Sequence, residues 1–263
     1  MPAGRPELRD DVDWFIRLWT LIARIGLSSL TRVRVEGDLD DLPATGPLII
    51  ASNHASNADG VLVGGWLCGP LGRRIHWLGK REMLEMPIIG PLARHGSIHA
   101  VDRAGADVEA FRLAQRILEE GHVLMVFPEG TRIPTGGLQE AKDGLAMLAL
   151  RSRAPILPVG VSGTQRFWPK GSRPHLGGRV TLRVGRPFTL GDVLGDEVLA
   201  DRRAAKHAAT EAIMRRIAAL LPESQRGVYG GPPEQPSDVS SSSAAPSQSN
   251  AEASSGVSTD PVR

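Results

Sequence analysis

Cysteine is almost absent from this chain: Cys68 is the single one in 263 residues. An intrachain disulfide and a cysteine-built zinc cage are therefore excluded, and the usage fits a reducing compartment. Aromatic residues reach only 4%, too few for a platform on which nucleic-acid bases stack. The formal net charge is +2, too small to argue for nucleic acid at all. That charge is uneven. Residues 231–263 hold Glu234, Asp238, Glu252 and Asp260 against Arg263, which leaves the remainder mildly basic. A mildly basic body suits an anionic lipid or a phosphorylated substrate. No stretch of roughly 18 apolar residues occurs, so no transmembrane helix is expected. The opening MPAGRPELRDDVDW has acids where a secretory signal needs a positive lead-in, so no signal peptide is expected either.

What is present divides into three parts. Residues 1–31 centre on an apolar helix predicted over 8–30. Asp13, Arg17, Thr20, Arg24, Ser28 and Thr31 make one narrow polar stripe on it, and Trp14, Phe15, Ile16, Leu18, Trp19, Leu21, Ile22, Ile25 and Leu27 cover the rest. Such a helix either packs heavily on the domain or lies in a membrane interface. Both readings stay open, and the two tryptophans and two arginines favour the membrane. Residues 232–263 are rich in Ser, Pro and Ala and contain no aromatic. With almost nothing to bury, a tail over 231–263 is expected to be disordered.

The middle, residues 32–230, alternates between two periods. Strands are predicted at 32–36, 47–52, 74–78, 97–101, 122–127, 156–161 and 179–185. Helices are predicted near 58–68, 106–120, 139–151 and 200–221. The expected fold is α/β, a mixed and largely parallel sheet flanked by helices.

Chemistry concentrates where predicted strands end, which is where such sheets place it. Asn53-His54-Ala55-Ser56-Asn57-Ala58-Asp59 follows the apolar run PLIIAS. Ser56 or Asn57 can cap the next helix. His54 then falls in the turn and Asp59 in the first helical turn, so the carboxylate can fold back onto one imidazole nitrogen. The other nitrogen stays free to take a proton from a hydroxyl. A capping role for the same residues is the plainer alternative. Phe127-Pro128-Glu129-Gly130-Thr131-Arg132 closes another apolar strand, and Asp102-Arg103 a third. Arginine presents a planar fork suited to phosphate oxygens, although either arginine can equally serve a surface ion pair.

These blocks resemble the glycerolipid acyltransferases, including the lysophosphatidate (1-acyl-glycerol-3-phosphate) acyltransferases. Asn53, His54 and Asp59 match an N-H-x4-D block. Gly96, Asp102 and Arg103 match the second block, in which His99 and Ala100 stand where aromatic or aliphatic residues are more usual. Phe127 to Arg132 give the third in full, followed by Lys142 and Gly144. Pro158, Val159 and Gly160 match a short apolar fourth. The resemblance runs over roughly residues 33–190. It implies His54 and Asp59 as the catalytic pair, a phosphate site from Arg103, Glu129, Gly130, Thr131 and Arg132, and Pro158 at an acyl or acceptor pocket. Glu129 cannot welcome a phosphate directly and is expected to orient an arginine or a backbone turn. The implied reaction moves a fatty acyl group from acyl-CoA or acyl carrier protein to a lysophospholipid hydroxyl, in phospholipid biosynthesis, with no metal and no bound cofactor. It implies a peripheral or monotopic place on the cytoplasmic face of the cell membrane. Acylation of glycerol 3-phosphate, a lyso-ornithine lipid or a glycolipid, a thioesterase, and a non-catalytic lipid-binding protein are the alternatives.

Two other motifs fail. Gly160-Val161-Ser162-Gly163 is followed by Thr164 rather than completing a serine elbow. His95 and His99 straddle a loop and a strand, so they are not expected to share a helical face as zinc ligands do. His76, His122, His175 and His207 have no partner assignable from sequence.

Overall fold

A computed structural model of the protein describes residues 8–87, 89–101, 107–133, 137–169 and 171–231. Asp102, Arg103 and the 232–263 tail lie outside the described residues. The elements in chain order are α1 (Trp14–Leu30), β1 (Arg32–Glu36), β2 (Leu48–Ser52), α2 (Ala58–Leu71), β3 (Ile75–Lys80), α3 (Arg81–Glu85), α4 (Ile89–His95), β4 (Ile98–Val101), α5 (Asp107–Glu119), β5 (Val123–Val126), α6 (Gly144–Ser152), β6 (Ile156–Ser162), α7 (Thr164–Phe167), β7 (Arg179–Val184), α8 (Asp196–Ala200) and α9 (Arg202–Ala219).

The strands form one seven-stranded sheet in the order β1-β7-β6-β2-β5-β3-β4. Neighbours run parallel except β6 and β7, which are antiparallel. β2 lies at the centre, where both faces are covered, and its residues are all buried. That is why it reads as a continuous apolar run rather than an alternation. Leu48 and Ile50 of β2, Met125 of β5 and Leu157, Val159 and Val161 of β6 point to the face covered by α1 and α2. Ile49, Ala51, Leu124 and Ile156 point to the other, covered by α5, α6 and α9. Each such fully buried aliphatic side chain contributes roughly 1.5–3 kcal/mol.

The helix predicted from residue 8 begins only at Trp14. Asp13 caps it, its carboxylate accepting from the Ile16 N–H at 2.9 Å. The preceding segment is held extended by two buried arginines. Arg73 pairs with Asp10 (3.0 Å), while Arg74 pairs with Asp13 (2.8 Å) and donates to the Asp11 carbonyl (3.0 Å). A local helical pattern has no means of registering partners sixty residues away.

Part of the polar stripe of α1 turns inward, while Arg17 and Ser28 stay exposed. Arg24 donates to the Gly65 carbonyl of α2 at 2.6 Å, and Thr31 is buried. Ala23 and Leu27 pack beside them, whereas Trp14, Leu18, Leu21, Ile22 and Ile25 face outward. Arg24 therefore docks α1 onto α2.

His76 and His99, left without a role by the sequence, form a buried pair with Nδ1 of one 2.9 Å from Nε2 of the other. His76 Nε2 lies 3.0 Å from the Arg9 carbonyl, and the His122 ring is 5.1 Å away. Burial pulls both imidazoles down to about 4, His76 further through His99 and His122, and His99 through Arg116. A histidine whose folded value lies below its free value of about 6.5 stabilises the fold above that pH and loses the contribution as pH falls towards 4. Thermal unfolding followed from pH 7 to pH 4.5 is therefore expected to show a falling Tm. His99→Gln, which cannot charge, is expected to flatten that slope.

Candidate active site

The site lies at the C-terminal ends of β2 and β5, neighbours at the centre of the sheet. Asn53 anchors the turn after β2: its amide donates to the Val161 carbonyl and accepts from the Val161 N–H, both at 2.8 Å. This clamp fixes the turn to β6 and sets where His54 leaves the sheet.

Asp59 sits in the first turn of α2 with its side chain fully buried. One oxygen, Oδ2, accepts from His54 Nδ1 at 2.9 Å and from the backbone N–H groups of Ala55 and Ser56 at 2.7 Å each. The carboxylate thus organises the turn and fixes the imidazole together. With Nδ1 protonated and donating, Nε2 carries the lone pair. His54 keeps 21% of its side chain exposed, and Nε2 has no protein partner among the described residues. The ring lies flat on Phe127, centroids 4.0 Å apart and planes at 14°. The position of Asp59 at a helix N-terminus also favours its negative charge.

Ser56 closes the helix start. Its hydroxyl accepts from the Ala58 N–H (3.1 Å) and donates to the Trp168 carbonyl (2.7 Å) just after α7. Asn57, the other capping candidate, makes no cap hydrogen bond. Its side-chain oxygen instead accepts from Arg132 Nη1. That bond carries Arg132 from the loop after β5 across to the start of α2, beside His54.

Glu129 has another part than contact with phosphate. It is buried, and its two oxygens are taken by backbone donors: His54 N–H at 2.8 Å and Gln139 N–H at 3.2 Å. Burial pushes its carboxyl above the usual range, offset in part by those two hydrogen bonds. A phosphate would meet a carboxylate already engaged and of the same sign. Gly130 has φ +66, in the left-handed region, and a Cβ there would press on the Lys142 side chain at 3.0 Å. The residue types of this loop are thus set by its close fold. Thr131 is exposed beside it.

Pro158 stands on the other face of the sheet from Leu157 and Val159, with which it alternates on β6. There its ring is 2.8 Å from where a Cβ of Gly185 would stand, next to Leu220. Arg103 lies outside the described residues. The fold thus brings His54, Asp59 and the Arg132 loop together, through the Phe127 stacking, the Asn53 clamp and the Asn57 contact, which the sequence reading did not anticipate. The last two were legible only as members of the same short block.

Cys68 is buried in α2 among apolar side chains, and burial pushes its thiol up to about 11. At neutral pH it is a protonated, inaccessible sulfur rather than a nucleophile.

A parallel α/β sheet with a histidine–aspartate pair at its centre, followed by a Phe-Pro-Glu-Gly-Thr-Arg loop, defines an acyltransferase domain. A family model described as Acyltransferase matches residues 32–162, and the chain belongs to that family. It is 33% identical over 153 residues to a 1-acyl-sn-glycerol-3-phosphate acyltransferase of Limnanthes alba, covering 57% of this chain and 53% of that protein. It is 32% identical over 176 residues to the alpha form from Homo sapiens, covering 65% and 60%. The protein of that name from Bacillus subtilis is 28% identical over 181 residues, covering 69% and 84%. The chain spans about half the length of the first of these relatives. Among solved structures it is similar to the 1-acyl-sn-glycerophosphate (LPA) acyltransferase PlsC of Thermotoga maritima. The TM-score is 0.63 at 25% identity, over 78% of this chain and 79% of that one.

Proposed function

We propose that the protein transfers a fatty acyl group from acyl-CoA or acyl carrier protein to the free hydroxyl of 1-acyl-glycerol-3-phosphate, giving phosphatidic acid. The carrying observation is the His54–Asp59 pair, with Nδ1 held by a buried carboxylate at 2.9 Å and Nε2 left open. Nε2 takes the proton of the acceptor hydroxyl as its oxygen attacks the thioester carbonyl. The tetrahedral intermediate collapses, the carbon–sulfur bond breaks, and the imidazolium returns its proton to the departing thiolate. Asp59 stabilises the imidazolium in between. Holding both substrates together converts a bimolecular step into an oriented one, worth several kcal/mol. The chain's own side chains account for each proton moved, and the reading includes no metal or bound cofactor. The relatives' names support the choice of acceptor. A panel of lysolipid acceptors with isotope-labelled acyl-CoA, read by mass spectrometry, tests it. Equal release of fatty acid with and without acceptor would make the protein a thioesterase instead.

Arg132 holds the acceptor phosphate in this reading, steered by Asn57. Arg132→Ala is expected to raise the KM for 1-acyl-glycerol-3-phosphate by roughly tenfold to a hundredfold, the loss of a charge-assisted contact of about 1.5–3 kcal/mol. Lysine there is expected to recover only part, because the fork is lost. Equal damage to a phosphate-free acceptor would assign the arginine to the fold.

The reading also places the protein on the cytoplasmic face of a membrane, peripherally. Among the described residues no helix is long and apolar enough to cross one. Support comes from α1, whose outward face carries Trp14 at 72% exposure with Leu18, Leu21, Ile22 and Ile25. Trp14→Ser/Trp19→Ser is expected to weaken vesicle co-sedimentation while leaving the melting temperature unchanged. Unaltered sedimentation would return α1 to a purely structural part.

A further inference from the structure

We infer that the loop joining α7 to β7 is a second lipid contact, a basic, leucine-tipped surface that meets anionic headgroups beside the active site. This rests on the membrane placement proposed above and adds a partner chemistry and a position to it.

The first observation is charge. Between Gly163 and Gly191 the sequence has Arg166, Lys170, Arg173, Arg179, Arg183 and Arg186 and not one Asp or Glu; Arg183 is paired with Glu36 (2.6 Å) at the far end of β7, so the charge beside the active site is that of Arg166, Arg173 and Arg179. In a chain with 31 basic and 29 acidic residues, so long a stretch without an acid is a pronounced local excess. Arg166, Arg173 and Arg179 are exposed in the structure.

The second is an apolar tip set among those charges. Leu176 is 81% exposed, more than any other large apolar side chain among the described residues. The described residues of the loop that carries it are tied by hydrogen bonds. The Trp168 indole donates to the Ser172 carbonyl (3.0 Å), and the His175 N–H donates to the Phe167 carbonyl (2.7 Å). A loop presenting leucine to water gains nothing in solution, whereas at an interface the leucine is buried while the arginines meet phosphates.

The third is continuity. The Gly177 N–H donates to the Leu30 carbonyl at the C-terminal end of α1 (2.7 Å), and the Arg32 N–H donates to the Gly178 carbonyl (3.1 Å). Leu176 therefore sits next to the segment bonded to the C-terminal end of α1. The same loop region touches the catalytic turn through the Ser56–Trp168 hydrogen bond. The basic loop, the end of α1 and His54 thus share one end of the molecule. An apolar protein partner would match α1 alone; the run of arginines selects an anionic bilayer.

The test is co-sedimentation of the full chain with vesicles of phosphatidylcholine, alone or with about a third phosphatidylglycerol. Arg166→Glu/Arg173→Glu is expected to cut partitioning onto the anionic vesicles by about tenfold or more at low salt, with a far smaller change on neutral ones. Leu176→Ser is expected to weaken binding to both, and as a change at an exposed tip it reads the surface independently of the double reversal. Acyl transfer to a short-chain, monomeric acceptor in the absence of vesicles is expected to stay at the level of the unaltered protein in all variants. That assay stands or falls with the enzymatic reading alone. Wild-type sedimentation of both loop variants, with binding lost only in Trp14→Ser/Trp19→Ser, would overturn the inference and leave α1 as the sole contact. A fall of the same size on neutral and anionic vesicles for the double reversal would overturn the headgroup assignment.

Discussion

Replacing His54 by alanine is expected to lower the turnover rate by at least about 10²-fold while both substrates still bind. A hydroxyl is a weak nucleophile at neutral pH, and Nε2 of His54 has no protein partner among the described residues and stays partly exposed. The neighbouring carboxylates cannot substitute. Asp59 is fully buried behind the ring, and Glu129 is held by two backbone N–H groups. The graded series at Asp59 follows from a detail of the hydrogen bonding. A single oxygen accepts from the imidazole and from two backbone donors. The amide oxygen of asparagine can stand in that same place, so Asp59→Asn is expected to keep the turn and the tautomer. It loses the charge that stabilises the imidazolium and puts an NH₂ where the buried Oδ1 stands without a hydrogen-bond partner. Asp59→Ala removes the anchor as well and is expected to approach the His54→Ala defect. Stopped-flow or steady-state transfer assays across the three variants separate these outcomes. Mass spectrometry of the intact protein after mixing with acyl-CoA alone checks that transfer is direct. No adduct is expected, and Cys68→Ser is expected to keep most of the activity. A stoichiometric adduct that moves to lysolipid on its addition would establish a covalent intermediate and refute His54 as a simple base.

Strands were the most legible part of this sequence, for a physical reason. β2, β5 and β6 lie in the middle of a largely parallel sheet and are covered on both faces, so burial forces short runs free of charged side chains and rich in Ile, Leu and Val. The short helices α3, α4 and α7 were not anticipated, since four to seven residues are too few to show a helical period, and Pro87, Gly90 and Pro91 read as loop. Chemistry at the site was legible where donor and acceptor lie within one turn, as with His54 and Asp59. It was illegible where partners come from distant strands, as with Asn53 on Val161, 108 residues apart. The face that Pro158 occupies was illegible for a different reason. Membership of a short apolar block carries no information about which face of the strand a residue occupies, and the pleat put this one behind the sheet.

Glu129 supplies the second large effect, and it acts without touching substrate. Glu129→Ala is expected to reduce activity by about 10²-fold and to lower the melting temperature. The carboxylate bridges two segments that nothing local joins: the His54 N–H in the turn after β2 and the Gln139 N–H in the chain leading to α6. Removing it strands two backbone donors in a buried place, each costing roughly 1–3 kcal/mol. It also frees His54 to drift, where a displacement of about 1 Å can itself cost on the order of 10² in rate. Glutamine separates the two consequences. Its one carbonyl oxygen can serve only one of the donors, and its NH₂ would face the other. Burial already holds this carboxyl above the usual carboxylate range, which means that ionising it is unfavourable to the fold. A neutral side chain relieves that cost. Glu129→Gln, which still serves one of the two donors, is therefore expected to lose less thermal stability than Glu129→Ala yet still lose about tenfold or more in kcat, with the KM values of both substrates nearly unchanged. The discriminating measurement is that split, taken beside calorimetry. If Glu129→Gln raises the acceptor KM selectively and leaves kcat alone, the carboxylate belongs to the phosphate site after all. If stability and kcat fall together in both variants, it is a fold element whose place beside His54 carries no catalytic meaning.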